Sequence, residues 1–229
     1  MNAQIPASHP LAGPNHHPSD EFVATYAAGA LDEASSLAVA GHLTFCPACR
    51  AAAGMYEALG GTLIDALPAS SLSADALATT LARARTASPS LEPQTPMATS
   101  AARQILPAPL RRYVGGDLEK AKWRILGPGI AHAPLIRNGS TVARLLRVAP
   151  GKSIFTHTHN GTELTLVLRG SYTSLGQRYC RGDIEMADES VDHRPVAGTE
   201  DICICLVVTD APLKFRHWLG GLIQSFTGI

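Results

Sequence analysis

The hydrophobic period of this chain changes abruptly near residue 86, and that change limits the folds open to it. Upstream, apolar residues recur at the three- and four-residue spacing of one helix face. Downstream, short β-branched runs are bounded by Gly, Pro and Asp, as strands separated by turns would be. Between them lies Thr86 to Arg103, with Ser88-Pro89, Glu92-Pro93 and Thr95-Pro96, a linker by composition. The pattern predicts an α + β chain of two domains: a helical bundle over 1–85, a linker over 86–104 and a β domain over 105–229.

In the first half Ser19 is placed to N-cap a helix, with Asp20 and Glu21 in its first turn. Phe22, Tyr26 and Ala30 follow at helical spacing, and Gly29 to Asp32 reads as a turn. Asp32 then caps a second helix carrying Leu37, Val39, Leu43 and Phe45. Pro47 suits the first turn of a third, running through Met55, Leu59 and Leu63 to about Leu67. Ser73 is the expected cap of a short fourth helix with Leu77 and Leu81 on one face. In the second half the runs Thr141 to Val148, Leu164 to Leu168 and Ile202 to Val208 predict strands. A long helix-free half that buries both faces of its sheet fits a jelly-roll barrel.

Two constellations carry chemistry. The first is His42-x3-Cys46-x2-Cys49. Residues four apart share a helix face, so His42 and Cys46 stand one above the other, with Cys49 close by. Two thiolates and an imidazole suit tetrahedral Zn²⁺. His16 and His17, just before the first helix, are the candidates for a fourth ligand. The competing reading, a redox dithiol, normally follows a strand in a βαβ unit; here the surroundings are helical and Ala-rich.

The second is Gly151-x5-His157-x-His159-x3-Glu163-x6-Gly170, which resembles the first cupin motif. Residues two apart on a strand point to one face, so His157 and His159 both enter a barrel. Asn160-Gly161 signals a hairpin leading to Glu163 on the next strand. His193 follows Gly182 by eleven residues, as in the second cupin motif, although Asp188, Ser190 and Ala197 depart from that motif's usual Pro, Gly and Asn. Three imidazoles and a carboxylate would hold a divalent metal, with Zn, Fe, Mn and Ni all compatible. Cys203 and Cys205 share a strand face with Cα atoms about 6.5 Å apart, near the limit for a disulfide, and read as buried thiols.

Bulk properties remove other classes. The 229 residues are 45% hydrophobic with zero formal net charge. That is an ordinary globular composition without the basic excess of a nucleic-acid binder. No apolar signal segment precedes residue 18, and Ile202 to Val208 is far too short to span a bilayer. With five cysteines, the expectation is a cytoplasmic protein.

The two motifs in this order resemble the ChrR family of anti-sigma factors, over nearly the whole chain. The resemblance implies that His17, His42, Cys46 and Cys49 hold Zn²⁺ in an N-terminal zinc-stapled helical anti-sigma domain. The choice of His17 over His16 rests on it. It also implies that His157, His159, Glu163 and His193 hold a divalent metal, zinc first, in a C-terminal cupin. It further implies a one-to-one complex with an extracytoplasmic-function sigma factor, which is kept from RNA polymerase. The sigma factor would be released on oxidative stress of the singlet-oxygen type sensed in the cupin. The Leu59, Leu63 and Leu67 stripe and Leu77 and Leu81 are the expected docking faces, unless they pack on one another. The residues alone leave a second reading, a dioxygenase-type cupin enzyme with an accessory zinc domain. Asp192, Glu185 and Arg194 are its nearest candidate acids, bases and clamps.

Overall fold

The computed structural model describes residues 13–86 and 104–211, with the backbone of strand residues 214–215. Most of the expected linker lies outside them. Helix α1 spans Asp20–Ala27, and the Ser19 side chain accepts from Phe22 N as expected. Helix α2 spans Glu33–Phe45, capped by the Asp32 carboxylate on Ala34 N and Ser35 N, a bond set worth about 1 kcal/mol. Helix α3 begins at Pro47 and runs to Asp65. Helix α4 is Ala76–Thr86. Its cap is Asp75, whose carbonyl accepts from Thr79 N. Ser73 does not cap it; its side chain bonds the Asp75 carboxylate instead.

The second half is not helix-free. Helix α5, Ala108–Val114, follows Pro107 and stops at Gly115, whose φ of 78° is the left-handed cap conformation. A single 3-10 turn follows at Leu118–Lys120. A seven-residue helix in a Pro- and Arg-rich stretch leaves too little periodicity to be seen in sequence.

Eleven strands follow among the described residues. They are β1 Arg124–Gly127, β2 Ile130–Asn138, β3 Thr141–Val148, β4 His157–Thr158, β5 Glu163–Arg169, β6 Ser171–Ser174, β7 Gln177–Cys180, β8 Ile184–Ala187, β9 Val196–Ala197, β10 Cys203–Thr209 and β11 Lys214–Phe215. A six-stranded sheet has the order β1-β2-β3-β10-β5-β8. It is accompanied by a three-stranded sheet β7-β6-β9 and a pair β11-β4. All named pairings are antiparallel. This is the jelly-roll cupin architecture that the strand pattern predicted.

One pairing differs from expectation. Asn160-Gly161 does not close a hairpin. Strand β4 pairs with β11, and β5 pairs with β10 and β8, so the turn carries the chain from one sheet to another. A Cβ at Gly161 would run into the Asp210 carboxylate and displace it. That carboxylate accepts from Thr162 N at 2.8 Å. A tight turn supplies direction, but distant strands decide the partner.

Strands β5 and β10 are buried almost throughout because the large sheet is covered on both faces. Its inner face carries Val148, Val167, Cys203, Cys205 and Val207, packed with Tyr172 of β6 in the smaller sheet. Its outer face carries Leu145, Leu164, Leu166, Ile204 and Leu206, packed with Ala34, Leu37 and Ala38 of α2 and Leu106 and Leu110 before and in α5. Small residues bring α2 close: a Cβ on Gly41 would lie 2.7 Å from Leu166 Cδ2 and 3.2 Å from Leu110 Cδ1. Compactness therefore does not follow the compositional break at 86. Among the described residues, those up to Glu57 and from Ile105 onward form one unit, and those between them form a second. In the second unit, Leu59, Leu63, Leu67 and Leu77 are 58%, 65%, 67% and 72% exposed.

Candidate metal centres

The first centre assembles at the junction of α2 and α3. His42 lies in the last turn of α2, Cys46 is its C-cap, and Cys49 lies in the first turn of α3. His17 arrives on the segment before α1. One ligand atom from each lies within 4.8 Å of all the others. His17 Nδ1 stands 3.4 Å from both Cys46 Sγ and Cys49 Sγ. Around a tetrahedral zinc, with Zn–S near 2.3 Å and Zn–N near 2.0–2.1 Å, S and N ligands stand about 3.6 Å apart. His42 Nδ1 donates to the Gly182 carbonyl at 2.7 Å. That bond fixes the tautomer and leaves Nε2, which is buried with no partner, as a free lone pair. Burial holds the His42 pKa below its usual value, in the neutral form that ligates. Burial, then the bond with Cys46, push the Cys49 thiol up to about 12. A pair so placed becomes thiolate when a cation compensates it, and the donor set fits zinc.

His16 is turned away from this centre. Its amide donates to Asp183 Oδ1 at 3.1 Å, and its carbonyl accepts from Ile184 N. Its ring lies against Tyr179 with centroids 4.2 Å apart. The buried Asp183 also accepts from Asn15 N and Cys180 N, pinning the segment before α1 to the entry of β8.

The second centre lies inside the barrel. His157, His159, Glu163 and His193 are all buried, again with ligand atoms within 4.8 Å of one another. His193 Nε2 is 3.2 Å from Nε2 of both His159 and His157. Imidazole ligands of a tetrahedral ion held at 2.0–2.1 Å stand about 3.4 Å apart. The far ring nitrogens of His157 and His193 are engaged, as metal-ligating histidines require, whereas His159 Nδ1 is buried without a hydrogen-bond partner and stands 3.9 Å from Glu163 Oε2. His157 Nδ1 donates to Phe155 O at 2.7 Å. His193 Nδ1 lies 3.0 Å from Ser174 Oγ and 3.5 Å from Glu185 Oε1. Thr165 Oγ1 donates to Glu163 at 3.2 Å. Burial lowers the His159 pKa. Burial also opposes charge on His193, but the bond with Glu185 and the charges of Glu163 and Glu185 outweigh it and raise that pKa. These residues fit a divalent ion.

Comparison with known proteins shows the family of the chain. The ChrR cupin-like domain family matches residues 112–212. The anti-sigma-E factor ChrR of Cereibacter sphaeroides is 44% identical over 211 residues, 92% of this chain and 97% of that protein. The chain belongs to the ChrR family of anti-sigma factors. ChrR in the crystal structure of Rhodobacter sphaeroides SigE in complex with the anti-sigma ChrR is 42% identical, with a TM-score of 0.73. The match covers 85% of this chain and 98% of that one.

In this ChrR-family chain Glu185 is more than a sequence neighbour of His193. Its carboxylate bonds His193 and accepts from Tyr172 Oη at 2.7 Å. Those bonds outweigh burial, so its pKa is lowered. Ser174 and Tyr172 carry no motif of their own and were not legible as partners of the centre. Arg194 donates to Ser153 Oγ, and Arg178 pairs with Glu200, both at the surface. Asp192 is not among the ligand atoms brought together. Cys203 and Cys205 are buried free thiols with Sγ atoms 3.6 Å apart. Among the described residues, no helix is long and apolar enough to cross a membrane.

Proposed function

We propose that this chain binds an extracytoplasmic-function sigma factor one to one, holds it away from RNA polymerase, and releases it when an oxidant such as singlet oxygen acts at the barrel. The observation that carries the binding half is the exposure of Leu59, Leu63, Leu67 and Leu77. Leu59 and Leu63 lie one turn apart on α3, Leu67 follows the end of that helix and Leu77 lies on α4; large apolar side chains left in solvent in this way mark a surface built for a partner. The relative solved with SigE supports the choice of partner. Residues 1–85 are the sigma-binding segment, and 105–229 the sensor; the protein works in the cytoplasm.

His17, His42, Cys46 and Cys49 would hold Zn²⁺, which supplies folding free energy to the helices. His157, His159, Glu163 and His193 would hold a second divalent ion, zinc first. The release half is supported by the short path between the centres. His42 bonds Gly182, the segment Gly182 to Glu185 enters β8, and Glu185 bonds His193. A change in the ligation of His193 moves Glu185, and through β8 the carbonyl that orients His42.

We read the barrel as a sensor rather than a catalyst. Co-expression with a candidate sigma factor and gel filtration test binding: a one-to-one complex is expected, lost in Cys49→Ala. A chain that never co-elutes with such a factor sinks the proposal. Release is tested by exposing the complex to singlet oxygen: the unaltered complex should dissociate and the His157→Ala complex should not. Turnover of a small oxidisable substrate by the metal-loaded chain would favour the enzyme reading.

A further inference from the structure

The barrel contains a cavity of about 550 Å³ beside its metal ligands, within the roughly 300–1,000 Å³ range of small-molecule sites. Its wall is mostly apolar, with Leu126, Ile130, Leu146, Val148, Ile154 and Cys205. Four buried Arg, His or Glu side chains line it, and Lys152, which also lines it, is exposed. His157 and Glu163 belong to the metal centre, and Glu185 is committed to Tyr172 and His193. Arg144 is the exception.

Arg144 sits on β3 opposite Val207, which in turn is opposite Thr165. It is only 5% exposed. The Glu163 carboxylate acts on it electrostatically, but no carboxylate among the described residues lies within ion-pair distance of it. Its Nε has no hydrogen-bond partner, and its one bond is a long contact from Nη2 to Thr209 Oγ1 at 3.5 Å. A guanidinium buried without an anion is costly, so such groups are paired. Arg144 also lines a second, smaller recess with Arg124, His132 and Arg137, and no acidic residue lines that recess. His132 is buried there with Nδ1 unpartnered. A cationic end therefore meets an apolar chamber at one residue.

We infer that the cavity binds an apolar monocarboxylate, its headgroup on the Nε–Nη edge of Arg144 and its tail along the Leu146 and Ile130 wall. The guanidinium edge offers two parallel donors matched to a carboxylate. Thr165 lies at the level of Arg144 in the sheet, and Thr209 one step along the same face beside Glu163. A neutral ligand would leave the guanidinium without an anion in contact, answered only by Glu163 at longer range, and a polyanion would carry excess charge into an apolar chamber. The bound acid would lie next to His157 and Glu163, where it alters the ligand environment that the sensor reading assigns to signalling; the inference rests on that reading.

The test is calorimetric titration of the full-length, metal-loaded chain with octanoate and, separately, with 1-octanol. Octanoate should bind saturably, one per chain, and at least about tenfold more tightly than 1-octanol. Arg144→Gln, with metal content and circular dichroism unchanged, should weaken octanoate by about the same factor and leave 1-octanol unaffected. No saturable octanoate binding, equal affinity for the alcohol, or an Arg144→Gln chain that binds octanoate as well as the parent overturns the inference. Should that variant not fold, the acid-to-alcohol ratio on the unaltered chain decides alone. Sigma co-elution is scored on the same preparations. A chain that holds sigma but not octanoate sinks the ligand and leaves the anti-sigma function standing.

Discussion

His42 Nδ1 donates to the carbonyl of Gly182 at 2.7 Å, across 140 residues of chain. One partner is a candidate ligand of the helical centre; the other begins the segment that enters β8. The contact needs Gly182 itself. Its φ is 93°, in the left-handed half of the map, and a Cβ would lie 2.9 Å from both Phe45 Cβ and Pro14 Cγ.

Gly182→Ala should therefore cost about 1–3 kcal/mol of stability through strain and the displaced end of α2. It should also speed zinc release from His42, Cys46 and Cys49. Thermal denaturation together with a chromogenic chelator assay measures both. Unchanged release kinetics would show that the Gly182 carbonyl does not hold His42 in place.

Glu185→Gln keeps the size of the side chain but removes the charge beside His193. Loss of such a partner typically weakens a metal site by about 10–100-fold. The barrel metal should become that much easier to remove, while the zinc of the helical centre stays. Metal analysis after graded chelation reads the two separately, and equal loss from both centres would contradict the assignment.

Leu166 is fully buried under α2, against Gly41. Truncation to Ala should cost about 2–5 kcal/mol. Because the side chain belongs to the core shared by α2, α5 and the large sheet, barrel and helical signals should melt together at a lower midpoint. Separate transitions, with only one displaced, would mean that α2 and the sheet do not unfold as a unit.

Leu63→Asp alters a side chain that is 65% exposed. Stability should change by no more than about 0.5 kcal/mol. Affinity for the sigma factor should fall at least about tenfold, as for loss of an apolar anchor. Titration of the labelled sigma factor checks this, and wild-type affinity would remove the α3 stripe from the interface.

Much of this protein is written locally. Ser19 and Asp32 cap the helices they precede, because a side-chain oxygen two or three residues upstream of free amides needs nothing distant. The strand at Thr141–Val148 follows its β-branched run to the residue. The eight residues expected at the metal centres come together as two groups of four. Spacing brings His42, Cys46 and Cys49 together and puts His157 and His159 on one face, His193 rests on its register in the second cupin motif, and His17 needs the family resemblance.

Other features depend on contacts between residues far apart in sequence. Asn160-Gly161 signals a turn, but whether the flanking strands pair is settled by β10, β8 and β11. His16 and His17 are equivalent in sequence until Asp183 takes the backbone of one and the thiols take the ring of the other. Arg144 looks like a solvent-facing residue in an alternating strand, and only closure of the barrel makes it a buried cation.

The chain by itself determined the helix caps, the strands and the ligand spacing, since these depend on residues within a turn or two of each other. Only the tertiary structure decided that α2 lies on the barrel instead of in a separate helical domain. That placement depends on Ala34, Ala38 and Gly41 being small enough to reach a sheet whose central strands start more than a hundred residues later. No local pattern records what a small residue will approach.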